Sequence, residues 1–150
     1  MSKVWFITGA SRGFGREWTI AALERGDSVA ATVRDLSSMD DLVRRFGDRL
    51  FPLQLDVTDR SAVFATVRQA HDRFGRLDII VNNAGYGQFG MIEELSEAEV
   101  RQQFDTNVFG ALWVTQAVLP FLREQRSGHL LQVSSIGGIS AFAGIGIYNS

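Results

Sequence analysis

Cysteine is absent from this sequence, which excludes a disulfide framework and a thiolate metal site. Histidine is nearly absent. His71 and His129 lie too far apart to form a metal-ligand motif, so no metal is expected. An excess of charge of either sign is missing too. The 15 basic and 17 acidic residues leave a formal net charge of −2, with no run of like charges. Neither a nucleic acid nor an anionic membrane is an expected partner. The apolar run nearest the N-terminus, Val4 to Ile7, is too short for a signal peptide or a membrane span, so the expectation is a soluble, cytoplasmic protein. There are only two prolines, and no repeat, low-complexity segment or linker interrupts the 150 residues, which read as one domain, 1–150.

What the chain does have is glycine, 15 residues of it, placed at the ends of apolar runs where tight turns belong. Hydrophobic residues make up 45% and charged residues 21%, the balance of a globular domain with a real core. Val4–Thr8 reads as a buried strand, followed by a helix from Gly13 to about Arg25 with Phe14, Trp18, Ala21 and Ala22 on one face. Gly26 stops that helix. A second strand spans Ser28–Val33, a helix Leu36–Phe46, and a third strand Leu50–Leu55. Pro52 inside that strand predicts an edge position. Asp59 caps a helix with Val63, Val67, Ala70 and Phe74 on its apolar face, and the nearly all-apolar Leu77–Val81 reads as a strand buried on both sides. Ser96 and Glu99 form a capping box that opens a helical stretch from about Glu97 to Gln125, with a break near Asp105–Asn107. A fifth strand is expected at Leu130–Val133. Strands alternating with helices predict an α/β fold: a doubly wound parallel sheet with helices on both faces.

Thr8-Gly9-Ala10-Ser11-Arg12-Gly13-Phe14-Gly15 joins the first strand to the first helix. Glycines there allow a tight turn and close approach of the backbone to a pyrophosphate, and the helix N-terminus offers unpaired N–H groups to it. A dinucleotide site is therefore expected at this loop. An NAD-selective site usually carries an acid after the second strand, to hold the ribose 2′-hydroxyl. Here Val33 stands in that place, Arg34 follows, and Arg12 lies in the loop. Two guanidinium groups suit a 2′-phosphate, so NADP(H) is the expected cofactor, with NAD(H) as the alternative. Asp35, if turned inward, would offset Arg34.

The spacing Thr-Gly-x-x-x-Gly-x-Gly resembles that of the short-chain dehydrogenase/reductase family, and the resemblance continues downstream. Asn82-Asn83-Ala84-Gly85 follows the fourth strand, Asp56-Val57 ends the third, Thr106-Asn107-Val108 lies in the long helix, and Tyr148 comes thirteen residues after Ser135. The resemblance implies a nicotinamide-linked oxidoreductase acting on a carbonyl or alcohol. It casts Tyr148 as general acid and base, Ser135 as the group orienting the substrate oxygen, and Asn107 as holder of a water in the proton relay. Asp56 and Val57 would meet the adenine, and Asn83, Ala84 and Gly85 would lie beside the cofactor. It also implies a lysine four residues after Tyr148, two beyond Ser150, and a sixth strand. On that basis the domain is expected to be C-terminally incomplete, active in a longer parent and inactive as this chain alone, with an apolar sheet edge exposed. Tyr86-Gly87-Gln88-Phe89-Gly90, with Phe142 and Ile147, would line the substrate side. A non-catalytic nucleotide-binding module, or a dimerisation unit built on Phe109, Leu112, Trp113, Gln116 and Ala117, is the competing expectation; family members usually form homo-oligomers.

Overall fold

The computed structural model describes residues 2–150. Five parallel strands form one sheet in the order β3-β2-β1-β4-β5. They are β1 (Val4–Thr8), β2 (Ser28–Val33), β3 (Leu50–Gln54), β4 (Ile79–Asn82) and β5 (His129–Gln132). Between them run α1 (Gly13–Glu24), α2 (Asp40–Phe46), α3 (Arg60–Phe74), α4 (Glu97–Phe104) and α5 (Ala111–Gln125). β3 is an edge strand, as Pro52 predicted, and its proline sits opposite Ala31 of β2. The sheet winds outward from β1 in both directions. This places a crevice at the C-terminal ends of β1 and β4, where ligands of such sheets bind.

Alternation along each central strand divides the core into two layers. Phe6, Ala30 and Ile80 face one side, with Val63, Val67 and Ala70 of α3 and Val114, Ala117 and Val118 of α5. Ile7, Val29, Ala31 and Val81 face the other, with Ala22 and Leu23 of α1 and Met39 and Leu42. Phe6 and Ile7 are both fully buried although adjacent, because β1 is covered on both faces.

Several local expectations shift. The buried stripe of α1 is Gly15, Thr19, Ala22 and Leu23, not the face through Phe14, Trp18 and Ala21. Phe14 is exposed and stacks on Trp18 along the outside. A small residue at Gly15 lets the helix lie against the sheet, and that sets its rotation. The helix expected at Leu36 opens as a 3-10 turn, Leu36–Met39, capped by Asp35, before α2 begins at Asp40. β4 starts two residues after Leu77, because the Gln125 side chain takes the Leu77 N–H at 2.9 Å and donates to its carbonyl at 2.8 Å. β5 lies one residue earlier than expected, and its outer side is open: Leu131 is 47% and Val133 42% exposed. The break in the long helix is a π-helical turn, Asp105–Gly110. Ala117 belongs to the core and Trp113 packs against it, which leaves Val108, Phe109 and Leu112 as exposed apolar positions of that stretch. No helix among the described residues is long and apolar enough to cross a membrane.

Candidate active site

The glycine loop is held from beneath by the segment that follows β4. Gly9 takes a positive φ of 68°, and a Cβ there would lie 2.9 Å from Ala84 Cα. A Cβ on Gly15 would come within 2.5 Å of both Asn83 Nδ2 and Gly9 O. The space such carbons would fill is taken by Asn83, whose Nδ2 donates to Thr8 O at 2.9 Å and Gly9 O at 3.1 Å. Thr8 completes the joint. Its hydroxyl accepts the N–H groups of Asn83 and Ala84, each at 3.0 Å, and donates to Val81 O. Thr8 and Gly15 are thus buried and support the loop from behind, while Gly9, Ser11, Arg12, Gly13 and Phe14 border the open cleft.

α1 begins at this loop without a side-chain cap, since Arg12 stands at its N-cap in extended conformation, and no acid occupies the first turn. Its first N–H groups and the positive end of its dipole therefore face the cleft unanswered. The cleft has a volume of about 730 Å³, and Arg12 and Arg34 lie on its wall with Asp56, Val57, Asn83, Ala84 and Gly85. Asp35 does not oppose Arg34 there. Its carboxylate accepts from the N–H of Ser37 at 3.0 Å and from the Ser37 hydroxyl, capping the turn that follows β2. Asp56 accepts from Thr58 N and Oγ1 through one oxygen, Oδ1. Val57 packs against the end of the π-helical turn at Gly110, where a Cβ would come within 2.7 Å of Val57 Cγ2.

Thr58 and Gln102 also border the cleft, as do Asp105 and Thr106, which the sequence marks only as part of the helix break and of the Thr-Asn-Val motif. Gln103 was overlooked as well: it is buried, and its Oε1 accepts the Gln88 N–H at 2.6 Å. A capping box followed by helical spacing announces α4, but nothing local says which glutamine faces inward. Tyr86 lies on the same wall. Burial pushes its phenol upward, and the nearby carboxylates of Asp105 and Glu99 push it further, so it stays a neutral donor.

Two of the side chains expected to carry chemistry, Asn107 and Tyr148, meet the segment Asn83–Gly87, and Ser135 lies near Tyr148 across Gly137. Asn107 sits in the π-helical turn and grips the backbone of Tyr86 at both ends. Its Oδ1 accepts the Tyr86 N–H at 3.0 Å, and its Nδ2 donates to Tyr86 O at 2.7 Å. Gly85 makes room for it, since a Cβ there would lie 3.1 Å from Asn107 Oδ1. Two residues on, a Cβ at Gly87 would meet the Tyr148 ring at 3.8 Å. Tyr148 lies on a short terminal helical turn, Gly146–Asn149. Ser135 follows β5 and caps a 3-10 turn, its Oγ accepting from Gly137 N at 3.1 Å. Gly137 touches both groups: a Cβ there would stand 3.4 Å from the Tyr148 ring and 3.5 Å from Ser135 Oγ. With its amide oriented to satisfy both neighbours, Asn149 donates to Gly137 O at 3.2 Å and accepts from Phe142 N at 2.9 Å. Among the described residues, no cluster of His, Asp or Glu has the makings of a metal site.

Residues 3–150 match the short chain dehydrogenase family. An oxidoreductase of Botryotinia fuckeliana is 46% identical over 151 residues, which is all of this chain and 55% of the relative. A short-chain dehydrogenase from Streptomyces avermitilis superposes with a TM-score of 0.96 at 44% identity, over 99% of this chain and 55% of that one. The closed form of serine dehydrogenase complexed with NADP+ gives a TM-score of 0.92 at 32% identity, over 97% of this chain and 59% of that one. The chain thus spans a little over half the length of these relatives.

Proposed function

The chain belongs to the short chain dehydrogenase family, and from that premise we propose that it forms the cofactor-binding and proton-transfer part of an NADP(H)-dependent oxidoreductase that interconverts a carbonyl compound and a secondary alcohol. The observation that carries this reading is the Asn83–Gly87 segment. It braces the glycine loop at one end, accepts the clamp of Asn107 in its middle, and borders the Tyr148 ring at the other.

The residues present fit a dinucleotide. Uncapped N–H groups, a cradle that a Cβ would fill, and a cleft of about 730 Å³ are what a pyrophosphate and its flanking nucleosides require. Arg12 and Arg34 would pair with the 2′-phosphate of NADP(H), and Asp35 is engaged by Ser37 rather than by Arg34. The same cradle admits NAD(H) with weaker hold at the ribose.

When bound, reduced nicotinamide supplies two electrons and a hydrogen, as hydride, to the carbonyl carbon. The π pair of the C=O bond then moves to oxygen, and the chain's own groups act there. Ser135 Oγ donates a hydrogen bond to that oxygen, and Tyr148 gives it its phenolic proton, leaving a phenolate that water reprotonates. Oxidation of the alcohol runs the same steps backward. Asn107, fixed to the Tyr86 backbone, holds the segment between the cradle and Tyr148 in place and is suited to position a water of the proton path.

Calorimetry with NADPH and NADH at matched ionic strength tests the cofactor half. NADPH should bind more tightly, and Arg34→Ala should remove that preference; equal affinities in the unaltered chain would sink the assignment of Arg12 and Arg34. Replacing Tyr148 by Phe in a full-length form should lower ketone reduction by about 10²- to 10⁴-fold, the usual worth of a general acid. Homo-oligomerisation is also proposed, because Val108, Phe109 and Leu112 are exposed together beside the site. A clean monomer by light scattering would argue against it.

A further inference from the structure

The two guanidinium groups that border the cleft come from separate pieces of chain. Arg12 stands at the N-cap of α1, and Arg34 follows β2. Neither has an ion pair among the described residues. Like charges turned toward one cleft repel, so their spacing has to come from the backbone that carries them. On the Arg34 side that backbone is pinned. Gln54 Nε2 of β3 donates to Arg34 O at 3.0 Å. Asp35 takes the Ser37 N–H, and its carbonyl accepts the Ser38 hydroxyl at 2.6 Å. Met39, fully buried, roots this turn in the core. Arg16 then links the turn to α1. It lies one helical turn beyond Arg12, on the same face. Its Nη1 donates to Ser38 O at 2.9 Å and its Nη2 to Asp41 Oδ2 at 2.5 Å. Among the described residues, no other hydrogen bond joins α1 to residues 34–41. The Arg16 side chain is 23% exposed and does not border the cleft.

We infer that Arg16 is a positioning residue for the 2′-phosphate: by clamping α1 to the turn after β2, it sets Arg12 and Arg34 at the separation that one phosphate group bridges. This rests on the NADP(H) reading given above. Arg16 spends its own fork on a carbonyl and a carboxylate, so it holds the two arginines without joining them at the ligand. Separate nitrogens of one plane reach the two acceptors, which the single nitrogen of a lysine does not reproduce. A site set in advance binds without the cost of ordering its side chains. NADH lacks the phosphate and gains nothing from that spacing.

The test is calorimetry with NADPH and NADH on the unaltered chain, Arg16→Met, Arg16→Lys and Asp41→Asn. Arg16→Met should weaken NADPH binding by about tenfold, the worth of a charge-assisted hydrogen bond, and leave NADH within about twofold. Arg16→Lys, which keeps the charge, should recover little of the loss. Asp41→Asn, at an exposed position, should weaken NADPH by about threefold, and it decides the matter if Arg16→Met fails to fold. In the phosphorus NMR spectrum of bound NADP+, Arg16→Met should return the 2′-phosphate resonance toward its free position while the pyrophosphate resonances stay in place. Equal loss for both cofactors would make Arg16 a support of the fold at large and overturn the inference. So would unchanged NADPH binding, or full recovery with lysine. If the unaltered chain holds NADPH no tighter than NADH, or binds neither, the cofactor reading falls and the inference with it. A preference for NADPH that survives Arg16→Met overturns the inference alone.

Discussion

The two halves of the site are built on opposite plans. On the cradle side, β1 and β2 are almost wholly buried, and the loop they carry is fixed by hydrogen bonds from Thr8 and Asn83 to backbone atoms. On the side proposed for the reaction, β5 is largely exposed, and the Ser135 side chain makes a single local bond, to Gly137 N. Among the described residues, the Tyr148 hydroxyl has no hydrogen-bond partner at all. The cradle is therefore part of what makes the chain fold. Ser135 and Tyr148, the groups proposed to react, are placed by the fold and add little to it, which leaves their bonding capacity for a ligand.

The most severe way to break this contrast is Gly15→Ala. The added carbon has no room against Asn83 Nδ2 and Gly9 O, and overpacking of that kind costs about 1–3 kcal/mol. Urea unfolding should show that loss, and NADPH binding should disappear with it. An unchanged midpoint would mean that the loop moves freely and that the cradle is not structural.

A smaller loss is expected in acid. Asp27 and Asp78 are buried beside the start of β1, accepting the N–H groups of Lys3 at 2.8 Å and Val4 at 2.9 Å. Burial alone raises both carboxyls, but the backbone bonds, Trp5 and Arg25 at Asp27, and Arg76 at Asp78 outweigh it, and both are held below the ordinary carboxylate value. With folded values lowered, their contribution is complete above the unfolded carboxyl value near 3.8 and is lost as pH falls through the folded ones. Thermal melts should thus be flat down to about pH 5 and fall steeply below pH 4. Asp78→Asn should flatten the fall. A melting curve indifferent to pH between 3 and 5 would contradict this.

The smallest effect sharpens the contrast from the other side. Tyr148→Phe should change unfolding stability by less than about 0.5 kcal/mol, the range of substitutions that break no packed or bonded group. A large loss would show that the phenol serves the fold.

The same contrast explains what could be read from sequence. β1 and β2 were legible to the residue, because each is an apolar run on which the sheet closes from both faces. The doubly wound parallel sheet followed from the alternation of strands and helices, and the edge position of the third strand from the missing N–H of Pro52. The start of β4 was not legible, since it depends on Gln125, 48 residues from Leu77. The rotation of α1 was missed because large aromatic residues suggested a buried face that the small Gly15 actually provides. In the site, the glycines and Asn83 declared themselves by spacing. Gln102 on the wall and the buried Gln103 did not, because nothing local says which face of α4 turns inward, and Asp105 did not, because it stands where the helix breaks into the π turn.

That break has its own consequence for how the chain tolerates insertion and deletion. Each residue of an α-helix advances the helix by about 100°. The extra residue of a π turn therefore sets α4 and α5 out of phase with one another. Removing one residue between Asp105 and Gly110 would make the helix uniform, but would swing Val114, Ala117 and Val118 away from the sheet by that angle if Asn107 kept its place. Keeping the valines in place would instead turn Asn107 off Tyr86. Core and site are geared together through this one turn, and a change of length there cannot spare both.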